Sequence, residues 1–166
     1  MSRGFVKEDD QEEAPFIPPR AALPTGVTNY VTSFGKKALL EERTQLESEI
    51  REVPTDNDSE RRKTLAVLNG KLQLLNERIA SSQVLLPQDQ PQNEVRFGAT
   101  VSIKYTNTPT KMNFQIVGVD EADVKLNKLS FVSPIVKAIT GKKVGDPAVL
   151  ELGSEVRQIE IIAITY

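Results

Sequence analysis

Two apolar stripes separated by a turn constrain this chain more than any other feature. Leu65, Leu68, Leu72, Leu75 and Ile79 recur at alternating steps of three and four residues, the seam of a helix that must hide one face. Upstream, Leu39, Leu46, Ile50 and Val53 fall on a similar stripe, with Arg43 in the intermediate position. Between the stripes, Pro54-Thr55-Asp56-Asn57-Asp58-Ser59 stops the first helix and supplies turn formers and an N-cap for the second. The spacing predicts helices over about 34–53 and 59–82, closed on each other as an antiparallel coiled-coil hairpin with arms of about 28 to 35 Å. Pro54 argues against one continuous intermolecular rod. Gly70 lies inside the second helix but off its seam, where it is less favourable than Ala by about 1 kcal/mol; tertiary packing must offset that. Two helices alone bury little, so the base of the hairpin needs a second unit to rest on.

The flanking segments follow other rules. Residues 1–30 begin with the polar run KEDDQEE and continue with Pro15, Pro18, Pro19 and Pro24, a composition that predicts a mobile tail, with Phe16, Ile17 and Tyr30 as local anchors. The hairpin is expected over 31–86 with its tip at 54–60. PQDQPQ marks a linker over 87–94. Across 95–166 the period shortens toward two, with strands expected from Val95 to Lys104, Phe114 to Val119, Val124 to Leu129, Ala148 to Leu152 and Val156 to Ala163. Ser133 and Pro134 open a short helix that Gly141 closes. The predicted class is α+β: a helical hairpin joined to an antiparallel sheet of about five strands with one short helix.

Composition removes whole classes of function. The chain has no Cys and no His, so disulfides, Cys/His zinc sites, histidine bases and thiol nucleophiles are unavailable. A net charge of -2, from 21 Lys+Arg against 23 Asp+Glu, disfavours non-specific duplex binding as the main activity. The opening residues carry no secretory or transit pattern, and no apolar run reaches the roughly 18 to 20 residues that cross a bilayer. The expected location is the cytoplasm, with no membrane association and a monomeric state.

Several runs together resemble one family. FGATVSI at 97–103, VGVDEADV at 117–124, SPIVKAITGKKVGD at 133–146 and the closing EVRQIEIIAITY resemble the C-terminal domain of the bacterial Gre family of transcript cleavage and transcription elongation factors. The helical run from NYVTSFGKKALLEERTQL through QLLNERIASSQVL resembles the base of that family's coiled coil. The resemblance implies an FKBP-like C-terminal domain, without isomerase activity, that docks at the rim of the secondary channel of bacterial RNA polymerase. The hairpin then enters the channel, and tip carboxylates help to hold a magnesium ion during hydrolysis of backtracked RNA. Relative to the family, this hairpin is shorter by roughly two turns per arm, a deficit of about 10 Å.

The tip residues that the resemblance singles out are Asp56, Asp58 and Glu60, as catalytic candidates and as ligands for a magnesium ion shared with the polymerase. Hard oxygen donors suit that ion. Physically, Asp58 and Glu60 also suit the start of a helix, whose dipole favours negative charge. Arg61, Arg62 and Lys63 form the densest basic run and are candidate contacts for RNA or for acidic channel residues. Ser133, Pro134, Lys142 and Lys143 are candidate polymerase contacts, although Lys142 and Lys143 also suit a helix end. Asp120, Glu121 and Asp123 read as a charged turn. The leading expectation is a regulator of paused or backtracked polymerase; a cleavage-stimulating factor and a generic protein–protein adaptor are the alternatives. No nucleophile and base can be paired, so an enzyme with its own pocket is disfavoured.

Overall fold

The computed structural model describes residues 13–166. Strand β1 (Tyr30–Val31) leads directly into helix α1 (Ser33–Arg51), a turn follows, and helix α2 (Asp58–Ser81) returns to strand β2 (Gln83–Val84). The two helices pack antiparallel through the expected stripes. Leu39, Leu46, Val53, Leu68 and Leu75 are buried, with Ile50, Leu65, Leu72 and Ile79 packed around them. Thr32 caps α1 by accepting from Gly35 N–H, and Asn57, within the expected turn run, caps α2 by accepting from Glu60 N–H. The hairpin closes at its open end by a feature absent from the sequence reading: β1 and β2 pair in parallel, Tyr30 opposite Gln83 and Val31 opposite Val84. Lys36 Nζ adds donations to the Ile79 carbonyl and the Ser82 hydroxyl at 3.2 and 2.6 Å.

The second unit is a curled five-stranded sheet in the order β5-β4-β3-β7-β6. Its strands are β3 (Thr100–Tyr105), β4 (Lys111–Val117), β5 (Lys128–Ser130), β6 (Pro147–Leu152) and β7 (Glu155–Thr165), with helix α3 (Pro134–Ile139) between β5 and β6. Alternation places Val101, Ile103, Phe114, Ile116, Ile159 and Ile161 on one buried face, which α3 covers with Val136 and Ile139. The sheet is mixed rather than antiparallel, because β5 runs parallel to β4. The strand expected from Val124 is displaced for a local reason: the Asp123 side chain accepts from Lys125 N–H and Asn127 takes φ 54°, making Val124–Leu126 a 3-10 turn and delaying β5 to Lys128. Val95 and Phe97 are buried as expected but precede β3. There Val95 N–H donates to the Lys142 carbonyl and the Val95 carbonyl accepts from Gly141 N–H, both at 2.8 Å, fastening the chain to the end of α3.

The segment expected as a tail is held in place where it is described. Residues 17–21 lie against the hairpin, with Ile17 filling the space that the missing side chain of Gly70 leaves on α2 and Arg20 reaching Glu42 on α1. Prolines keep the segment extended and therefore lower the entropy lost on docking.

Candidate functional site

Two regions carry the candidate residues, one at each end of the hairpin. At the distal end Asp56, Asp58 and Glu60 are all exposed, as are Arg62 and Lys63, while Arg61 is half-buried. Asp58 and Glu60 lie in the first turn of α2. Two residues apart on a helix is about 200° of rotation, so their carboxylates leave from opposite sides. Among the described residues no group of three His, Cys, Asp or Glu is arranged to hold a metal ion. The tip therefore does not fit a magnesium site of its own.

At the other end the hairpin is locked to the sheet by a polar clamp, where the sequence predicts an ordinary charged turn. Asp120, in the turn after β4, has a side chain only 7% exposed and accepts from both Arg20 Nε and Arg78 Nη1 at 3.0 Å. Arg20 also makes a two-pronged contact with Glu42 on α1, at 2.7 and 3.0 Å. The Glu42 hydrogen bond, opposed by burial and assisted by Asp120, holds the Arg20 guanidinium above its ordinary pKa. Arg78 reaches the carbonyl of Ala21 as well. Beside this cluster, the Thr32 hydroxyl donates to Glu121 at 2.7 Å, and buried Asn29 donates through Nδ2 to the Arg78 carbonyl and the Ser81 hydroxyl. Four segments thus converge: the N-terminal strap, α1, α2 and the turn after β4.

Apolar contacts reinforce the clamp. Tyr30 packs against Phe97 and Phe131 with ring centroids 6.0 and 5.8 Å away, and Phe97 meets Phe131 at 5.6 Å. Gly118 allows the closest approach, since a Cβ there would lie 2.6 Å from the Tyr30 carbonyl oxygen. The signals for this junction were present as single residues in Arg20, Arg78, Asp120 and Gly118, but they are separated by up to 100 positions and form no local motif.

Ser133, Pro134, Lys142 and Lys143 gather around α3, about 9 Å from end to end along its axis. Ser133 stands at the N-cap, but among the described residues its side chain makes no cap hydrogen bond and its buried hydroxyl meets no partner. Lys142 and Lys143 begin a turn secured by its backbone: Lys143 N–H donates to Asp146 Oδ2 at 2.9 Å and Gly145 N–H to the Ile161 carbonyl at 2.8 Å. This turn holds the two ammonium-bearing residues on the surface side of α3, one half-buried and one exposed. The hairpin separates them from the tip residues, α1 alone accounting for about 28 Å. Among the described residues no helix is long and apolar enough to cross a membrane.

Comparison with known proteins places these features in a family. Residues 90–166 match the family described as "Transcription elongation factor, GreA/GreB, C-term". The chain is 38% identical over 98 residues to transcription elongation factor GreA of Legionella pneumophila strain Paris, covering 58% of this chain and 61% of that protein. It is 35% identical over 106 residues to GreA of Halorhodospira halophila, covering 63% and 67% respectively. The chain thus spans about 61% of the length of the Legionella relatives it matches. Among solved structures, GreA factor homolog 1 (Gfh1) of Thermus thermophilus aligns at 18% identity and a TM-score of 0.40, over 84% of this chain and all 100% of that one. On the sequence matches, the chain belongs to the GreA/GreB family of transcription elongation factors.

Proposed function

We propose that this protein is an accessory regulator of bacterial RNA polymerase that docks its FKBP-like sheet domain at the rim of the secondary channel and inserts the hairpin. It acts on paused or backtracked complexes in the cytoplasm, without turnover of its own. The observation that carries this reading is the contrast between the two ends of the hairpin. The base is clamped through Asp120, Arg20 and Arg78, whereas the distal turn and its carboxylates are exposed. Such a rod transmits the position of a docked base to a remote tip, and family membership supplies the partner. Ser133, Pro134, Lys142 and Lys143 are assigned to the docking face around α3. Arg61, Arg62 and Lys63 are assigned to the channel wall or the nascent RNA.

Regulation is favoured over transcript cleavage by the divergence of Asp58 and Glu60 around the helix. The three tip acids do not form a chelating set, and at most one of them completes the shell of an ion held by the polymerase. The test uses a backtracked elongation complex with end-labelled RNA. The proposal expects a stable complex with core polymerase and altered pausing, with no rapid shortening of the RNA. Shortening that is lost on changing Asp56, Asp58 and Glu60 together to Ala would instead establish a cleavage factor. Absence of binding at micromolar concentrations of folded protein in low salt would overturn the polymerase reading and leave the adaptor alternative.

A further inference from the structure

The base of the hairpin and the sheet enclose a half-open cleft of about 620 Å³, a size that holds a small organic molecule. Its floor is aromatic, built from Tyr30 of β1, Phe97 ahead of β3 and Phe131 after β5. The three rings stand tilted or edge-on to one another, at 49°, 62° and 80°, an arrangement that a further planar ring can join. Leu85, Ile116 and Val136 complete the apolar wall.

The polar residues of the cleft are its more exposed ones. Lys137 is exposed, and Gln90 and Arg96 are half-buried, whereas Phe97, Ile116 and Val136 are buried. Among the described residues Lys137 makes no ion pair, while Arg96 is paired with Glu94 at 3.2 Å. Two cations less one carboxylate leave a single positive charge at the mouth, which matches one carboxylate better than a di- or triphosphate. An extended peptide fits poorly, because β4, which carries Ile116, lies between β3 and β5 and offers no open edge for backbone pairing.

We propose that this cleft binds a small aromatic monocarboxylate, its ring seated on Tyr30, Phe97 and Phe131 and its carboxylate met by Lys137 with Arg96. Tyr30 and Leu85 belong to the base of the hairpin, and the remaining walls to the sheet domain and α3, so a bound molecule bridges the two units. The site is independent of which partner the hairpin enters.

The test titrates the full-length chain with 2-naphthoate and follows methyl signals, those of Leu85, Ile116 and Val136 in the cleft and those of Leu46 and Leu68 inside the hairpin as a reference. The cleft methyls are expected to shift saturably with a Kd at or below about 1 mM, the affinity that about 13 non-hydrogen atoms supply at ordinary ligand efficiency, while the reference methyls stay still. Lys137→Glu is expected to weaken naphthoate about five- to tenfold and to leave the uncharged analogue 2-naphthamide unaffected, a difference that general disruption of the fold would not produce. Absence of saturable shifts in the cleft up to about 10 mM naphthoate would overturn the proposal. So would equal affinity for the acid and the amide, since the mouth would then contribute no charge recognition. Shifts of the same methyls with protein concentration alone would assign the cleft to a second copy of the chain and overturn it equally. Because the measurement needs no polymerase, its failure and failure of the polymerase reading are separate results.

Discussion

Replacing Gly70 with Ala sets two effects of similar size against each other. In an exposed helix the change stabilises by about 1 kcal/mol. Here the new Cβ would overlap Ile17 Cδ1 and lie 2.8 Å from Ile17 Cγ1, so the strap residue must withdraw. Fully burying an Ile side chain is worth about 1.5 to 3 kcal/mol; Ile17 is half-buried, so its withdrawal forfeits about 1 to 1.5 kcal/mol. The single variant is therefore expected within about 0.5 kcal/mol of the parent. In an Ile17→Ala background the notch is empty, and the same change is expected to stabilise by the full ~1 kcal/mol. A double-mutant cycle from urea midpoints at constant m then gives a coupling of about 1 to 1.5 kcal/mol. Equal stabilisation by Gly70→Ala in both backgrounds would refute the packing of Ile17 on Gly70, and with it the strap.

Asp120→Ala leaves the Arg20 and Arg78 guanidinium groups facing each other without their shared carboxylate, and is expected to destabilise by about 2 to 4 kcal/mol in the same denaturation assay. Glu155→Ala, which breaks the surface pair with Arg157, is expected to leave the midpoint unmoved. Asn57→Ala removes the acceptor for Glu60 N–H, and a loss of about 1 kcal/mol is expected, read in the same way. The Tyr166 hydroxyl donates to the Glu94 carbonyl and accepts from Arg96 N–H at 2.7 and 2.9 Å, and burial raises its pKa above the ordinary 10.0. The unfolded chain then loses this proton first, so stability should be intact below pH 10.0 and fall as pH rises from there through the folded value; Tyr166→Phe should remove that part of the slope.

The hairpin was legible because its signal is periodic: Leu68 and Leu75, chosen by spacing alone, are buried, and Pro54 with Asn57 marks the reversal. Most sheet strands were legible for the same reason, alternation placing Val101 and Ile103 inward. What escaped depends on contacts between distant residues. The two-residue strands β1 and β2 are too short to carry a period, and their pairing exists only because the hairpin brings its ends together. The parallel placement of β5 follows from the turn at Asp123–Asn127, whereas its apolar run, Val124 to Leu129, reads equally well in either direction. Asp120 looked like one more turn acid because its partners lie 42 and 100 residues away. Gly70 was flagged as a local misfit, but the residue that resolves it sits in a segment whose composition reads as unstructured. At the tip, sequence locates the carboxylates, while helix rotation determines that Asp58 and Glu60 point apart.

Insertion of the hairpin into the polymerase is tested most directly by placing a cleaving reagent at its end. With an iron chelate on Thr55→Cys, the sole thiol of the chain, hydroxyl radicals generated in a complex with core polymerase should cut the large subunits along the secondary channel. The same chelate on Glu151→Cys, an exposed site in β6, should leave those positions intact. Cuts from Thr55 confined to the outer surface of a complex that nevertheless forms would contradict insertion.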